Sequence, residues 1–142
     1  ETEVEDLAGV RIICQFEEDI DTVAAIIRRR TDMEVKSEKN YLTHIKQSGY
    51  RSYHMLITVP IQTTNGINPT KVEIQIRTIA MDFWASLEHK INYKFEGNAP
   101  DHIRNELVEC ARMVAELDER MLSLNEEIQM IHQGSQTEEA IV

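Results

Sequence analysis

Little in this 142-residue sequence carries the marks of a secreted, membrane-spanning or metal-binding chain. It has two cysteines, Cys14 and Cys110, too far apart for a zinc-ligand spacing or a disulfide framework. Each sits within an apolar pattern, and both are read as core residues. No apolar run approaches the roughly 20 residues a membrane helix needs. Nothing resembles a signal peptide, so a cytoplasmic protein with no membrane partner is the expectation. There is no G-x-x-x-x-G-K-[ST] loop and no G-x-G-x-x-G, hence neither a Walker-type phosphate cradle nor a dinucleotide fingerprint. Glu88-His89 lacks the second histidine of H-E-x-x-H. A Ser52, His54 and Glu73 triad is set aside, because Ser52 and His54 would point the same way from a flat strand with no nucleophile elbow. His44, His102 and His132 lie among polar residues and are read as exposed.

The formal net charge of −10 argues against DNA as a partner, but it is unevenly spread. Residues 101–142 hold ten Asp or Glu against three Arg, whereas residues 28–54 hold seven Lys or Arg against three acids. The basic segment suits phosphates or a solvated helix end, and charge alone does not separate the two.

The length fits one domain. Residues 7–16, "LAGVRIICQF", are β-branched with Val10, Ile12, Cys14 and Phe16 on one parity, which predicts a strand. "EEDIDTVAAIIRRRT" follows with helical spacing, acids in its first turn and arginines in its last. "MEVKSEKNY" predicts a short strand and residues 50–61 a longer one. Asn65-Gly66 then turns the chain into "KVEIQIRT", an antiparallel neighbour. After Thr78 the period becomes helical, and Phe83, Trp84 and Leu87 are read as core.

From Ile103 to Ile131 apolar residues recur at alternating spacings of 4 and 3, through Leu107, Cys110, Val114, Leu117, Met121, Leu124 and Ile128. Such sustained heptads favour a long helix burying its seam against a partner over one lying across its own sheet. The expected division is a core over 1–98, an oligomerisation helix of the same domain over 99–133 ending near Gly134, and a disordered acidic tail over 134–142. The fold class is α+β, with a mixed, largely antiparallel sheet flanked by helices.

If the hairpin holds and both apolar faces meet one core, Tyr50, Ser52, His54, Glu73, Gln75 and Arg77 gather on a single surface. Antiparallel sheets commonly leave one face to water, so the pattern alone leaves open a site and a solvated face.

"EDLAGVRI", "SGYRSYHMLI" and "VEIQIRTIAMDFWASLEHKINYK", in that order, resemble the synthetase domain of the RelA/SpoT family, most closely the small alarmone synthetases. The resemblance runs from about Glu5 to Tyr93 and more loosely into the last helix. It implies a nucleotidyltransferase-like fold, Mg2+ as cofactor, a homotetramer, and transfer of the β,γ-diphosphate of ATP to the 3′-hydroxyl of GDP or GTP with release of AMP. It makes Glu73 the base and a metal ligand, and Asp6 the main metal carboxylate. It stacks Arg11 on adenine and Tyr50 on guanine, directs Lys46 and His54 to phosphates, and gives Gln75 and Lys39 to the acceptor pocket. Asp82 falls near the family's regulatory pocket between subunits, where relatives commonly carry Asn, and an added anion would oppose a bound polyphosphate there. Relatives normally carry a basic helical region ahead of the first motif, so the sequence reads as N-terminally truncated and impaired. The reading from another class is a non-catalytic guanine-nucleotide-binding or oligomerisation module.

Overall fold

In the computed structural model residues 8–141 are described, with side chains described over 8–135. The chain runs β1 (Ala8–Cys14), α1 (Glu17–Arg29), β2 (Glu34–Asn40), β3 (Tyr53–Thr63), β4 (Gly66–Thr78), α2 (Ile79–Lys94) and α3 (Asp101–Ile141). The sheet order is β1-β4-β3-β2, with β1 parallel to β4 and the other pairs antiparallel, so the α+β class and the mixed sheet agree with the sequence pattern.

Alternation within the strands sends one set of side chains to α1. Ile20, Ala24 and Ile27 of that helix meet Cys14, Met55, Ile57, Ile74 and Ile76 in the main core. Ile20, Met55 and Ile76 are fully buried, each worth about 1.5–3 kcal/mol of apolar transfer. At the start of α1, Asp19 accepts a hydrogen bond from the Phe16 amide at 3.1 Å. At the start of α2, Thr78 caps the helix by accepting from Met81 N. A second, smaller core joins Trp84 and Ala85 of α2 to Leu107 and Ala111 of α3. The Trp84 indole N–H donates to Leu107 O at 2.8 Å.

Gly49 has φ +94°, and a Cβ there would stand 2.5 Å from Ala111 Cβ. Only glycine lets the loop ahead of β3 lie so close to α3.

Four expectations are corrected. Strand β3 starts at Tyr53, so Tyr50 and Ser52 belong to the preceding loop. The hairpin turn is Thr64-Asn65, one residue ahead of Asn65-Gly66, and Gly66 at φ +105° opens β4. Phe83 and Leu87 are 76% and 44% exposed, because α2 turns its Trp84 side inward and leaves the Ile79, Phe83, Leu87 stripe outside. Helix α3 passes through Gly134 instead of ending near it, since one glycine inside a helix costs only about 1 kcal/mol. Among the described residues no helix is long and apolar enough to cross a membrane.

Candidate active site

The face of the sheet opposite α1 carries a row of polar residues, one from each strand. Arg11 of β1 pairs in register with Gln75 of β4, Gln75 with His54 of β3, and His54 with Lys39 of β2. Side chains in register on neighbouring strands share a face, so all four project together. The next row places Gly9 beside Glu73, and among the described residues a Cβ on Gly9 would meet nothing within 4 Å.

Tyr50 reaches the face from its loop. Its hydroxyl lies 2.8 Å from His54 Nε2 and accepts from Arg77 Nη2 at 3.2 Å. His54 Nδ1 stands 3.4 Å from Glu73 Oε1, which also accepts from Gln75 Nε2 at 3.1 Å. Arg77 Nη2 further donates to Gln75 Oε1. These contacts are satisfied together when neutral His54 carries its proton on Nδ1, facing Glu73, and Nε2 accepts from the tyrosine hydroxyl. Burial lowers the His54 pKa, with Glu73 raising it and Arg77, Lys46 and Lys39 lowering it, so the neutral ring prevails at pH 7. Burial also raises the Tyr50 pKa, opposed by Arg77, so Tyr50 keeps its proton.

Lys46 Nζ sits 4.6 Å from the Tyr41 ring centroid and 5.2 Å from that of Tyr50, a cation held over two aromatic faces. Arg77, buried, pairs with Asp82 at 3.3 Å, and the same carboxylate oxygen pairs with Arg11 at 3.0 Å. A cleft of about 600 Å³ opens between this face and α2, lined among others by Arg11, Lys46, Tyr50, Gln75, Arg77 and Glu88. Glu88 accepts from Asn92 at 3.0 Å, and its pKa is raised by burial against the pull of that bond and of nearby cations.

Of the residues singled out in the sequence, Arg11, Lys46, Tyr50 and Gln75 line the cleft. His54, Glu73 and Lys39 continue it across the sheet, and Asp82 lies against Arg11 and Arg77. Asp6 lies outside the described residues. Tyr41, the buried contacts of Arg77 and the wall made by α2 add to the residues singled out in the sequence. The signal for that wall was present in Asp82, Ser86 and His89, a polar stripe at helical spacing set against the exposed apolar one.

Among the described residues no three His, Cys, Asp or Glu side chains cluster as a metal site. Glu73 offers one partly exposed hard-oxygen donor, and Mg2+ ordinarily takes one or two carboxylates with water and phosphate completing its shell. The donor chemistry therefore fits that ion.

Residues 1–98 match the family model described as the region found in RelA / SpoT proteins. The chain is 46% identical to the GTP pyrophosphokinase YwaC of Bacillus subtilis over 125 residues, which is 88% of this chain and 60% of that protein. It is 43% identical to YjbM, a second GTP pyrophosphokinase of the same organism, over 126 residues, 89% of this chain and 60% of the other. The chain thus spans about 60% of the length of these curated relatives. Among solved structures, it superposes on small alarmone synthetase 1 from B. subtilis bound to its product pppGpp, with a TM-score of 0.85 and 42% identity over 89% of this chain and 67% of that one. A GTP pyrophosphokinase family protein from Streptococcus pneumoniae gives a TM-score of 0.83 and 44% identity over 92% and 64%.

Proposed function

Because the chain belongs to the RelA/SpoT family, we propose that its cleft transfers the β,γ-diphosphate of ATP to the 3′-hydroxyl of GDP or GTP, giving guanosine tetra- or pentaphosphate and AMP. The observation that carries this reading is the four-strand row Arg11, Gln75, His54 and Lys39 with Glu73 one step along it. An acidic chain that gathers cations around one carboxylate is arranged for a polyanion and a proton acceptor in the same place.

Glu73 takes the proton of the 3′-hydroxyl as that oxygen attacks the β-phosphorus, and the α-phosphate oxygen leaves with AMP. Together with Asp6, Glu73 would hold Mg2+, which supplies charge neutralisation of the phosphates when bound. The neutral His54 ring donates from Nδ1 toward Glu73 and fixes its orientation. Tyr50 offers its ring to guanine and Arg11 its guanidinium plane to adenine, a stacking that a lysine would not reproduce. Lys46 and Lys39 face the phosphates, and Gln75 bridges Glu73 and Arg77 at the acceptor side. The same reading makes the protein a cytoplasmic homo-oligomer, a tetramer, joined through the far half of α3, where Leu117, Met121, Leu124, Ile128 and Ile131 stay exposed.

The test incubates the protein with ATP, GDP and Mg2+ and resolves the nucleotides. AMP and guanosine 3′,5′-bisdiphosphate should form in equal amounts, and Glu73→Gln should lower the rate about 10²- to 10⁴-fold, the span of a lost general base. GDP binding without AMP release would instead support a non-catalytic guanine-nucleotide module.

A further inference from the structure

One carboxylate oxygen serves two guanidinium groups at the edge of the cleft. Asp82 Oδ1 lies 3.0 Å from Arg11 Nη1 and 3.3 Å from Arg77 Nη1. The two cations stand in different surroundings. The Arg77 side chain is 5% exposed and is held also by Tyr50 and Gln75. That of Arg11 is 57% exposed, and among the described residues Asp82 is its one ion-pair partner.

A buried guanidinium demands a nearby counter-charge, and stripping it is expensive, so Asp82 and Arg77 stay together. An exposed pair gains little over water, so Arg11 leaves Asp82 at small cost when a nucleotide arrives. Arg11 also lines the cleft, where the base of an entering nucleotide would stack on its guanidinium plane and draw it from the carboxylate. We propose that Asp82 sets the affinity of this site: its carboxylate competes with the nucleotide for the Arg11 guanidinium while remaining the counter-charge of Arg77. The proposal rests on reading the cleft as a nucleotide site. It differs from a purely structural role for Asp82, in which the carboxylate only neutralises Arg77 and its loss would weaken ligand binding.

The experiment titrates the α,β-methylene analogue of ATP with Mg2+ into the wild type, Asp82→Asn, Arg11→Ala and the double variant by calorimetry, with GDP as a second ligand. Asp82→Asn keeps an oxygen for Arg77, and Asp82→Ser serves as a second variant; thermal unfolding verifies that each is folded. The expected result is analogue binding about two- to fivefold tighter in the Asp82 variants, the size of one relieved exposed ion pair, and no gain from Asp82→Asn once Arg11 is alanine. Equal or weaker binding in the Asp82 variants overturns the proposal, and so does a gain that persists without Arg11. Failure of the wild type to bind either the analogue or GDP removes the nucleotide-site reading and the proposal with it, whereas wild-type binding that Asp82→Asn does not tighten removes the proposal alone.

Discussion

Thr78 Oγ1 donates to Asp118 Oδ2 at 2.8 Å in the interior of the protein, tying the first residue of the α2 cap to the middle of α3 across 40 positions of sequence. The same hydroxyl accepts from Met81 N, so one side chain both starts the helix that walls the cleft and anchors it to the long helix. Thr78 follows Arg77 directly, so this bond links α3 to the buried cation of the site through one peptide unit.

Burial raises the Asp118 pKa against the opposing effects of the Thr78 bond and of Arg51. The folded carboxyl therefore holds its proton to higher pH than the unfolded one, whose ordinary value is 3.8. As pH rises above that value the unfolded chain loses the proton first, so stability falls until the folded carboxyl ionises too. Asp118→Asn keeps an acceptor for Thr78 and removes this titration. Urea unfolding from pH 3.5 to 7 should show Asp118→Asn gaining on the wild type as pH rises. Asp118→Ala, which leaves the buried hydroxyl without its acceptor, should cost about 1–3 kcal/mol.

Gly49→Ala joins a left-handed φ to a Cβ 2.5 Å from Ala111 Cβ. The strained backbone alone costs about 1–3 kcal/mol, and the contact forces the loop off α3. Because Tyr50 is the next residue, the expected outcome is a lower melting temperature together with weaker GDP binding. A stable variant with unchanged GDP affinity would mean that the loop does not set the position of Tyr50.

Much of this arrangement was legible in the sequence, for reasons that are local. Period-two alternation in "VEIQIRT" and in the strand before it put Glu73, Gln75, Arg77 and His54 on one face, because a strand has no other way to place them. Register across the sheet was not legible, so the row Arg11, Gln75, His54, Lys39 emerged only with the topology, in which the first strand joins the fourth in parallel. The inward side of α2 is not legible in the sequence because Phe83, Trp84 and Leu87 are all apolar, and only packing against Leu107 and Ala111 decides that Trp84 goes in. The heptads of α3 ran together two environments that sequence does not separate. Leu107 is buried against α2 and Cys110 and Val114 are packed beside it, whereas the later seam residues are exposed.

His54 gives a pH dependence of opposite sign to that of Asp118. Its pKa is lowered by burial below the ordinary 6.5, so as pH falls the unfolded ring gains a proton before the folded one does. Stability therefore declines from about pH 6.5 downward and levels off once the folded ring also protonates. His54→Gln should flatten that limb of the stability profile in chemical denaturation, while the wild type loses stability between pH 7 and 5. An unchanged slope in the variant would place the titrating group elsewhere.

Along the outer half of α3, Leu117, Met121, Leu124, Ile128 and Ile131 are each between 45% and 65% exposed, and they follow one another at alternating spacings of 4 and 3. A seam of this regularity is what two helices use to bury apolar surface against each other. Because these side chains touch little within the chain, replacing them should change fold stability by no more than about 0.5 kcal/mol. Leu124→Lys with Ile128→Lys should then leave the circular dichroism and the melting curve of the core in place while shifting sedimentation at micromolar concentration from an oligomer to a monomer. Leu107→Lys is the contrasting case, since that residue is 7% exposed in the Trp84 core and a charge there should unfold the α2–α3 contact. A wild type that sediments as a monomer would remove the seam as an oligomer surface, and loss of helicity in the double variant would show that it serves the fold of α3 itself.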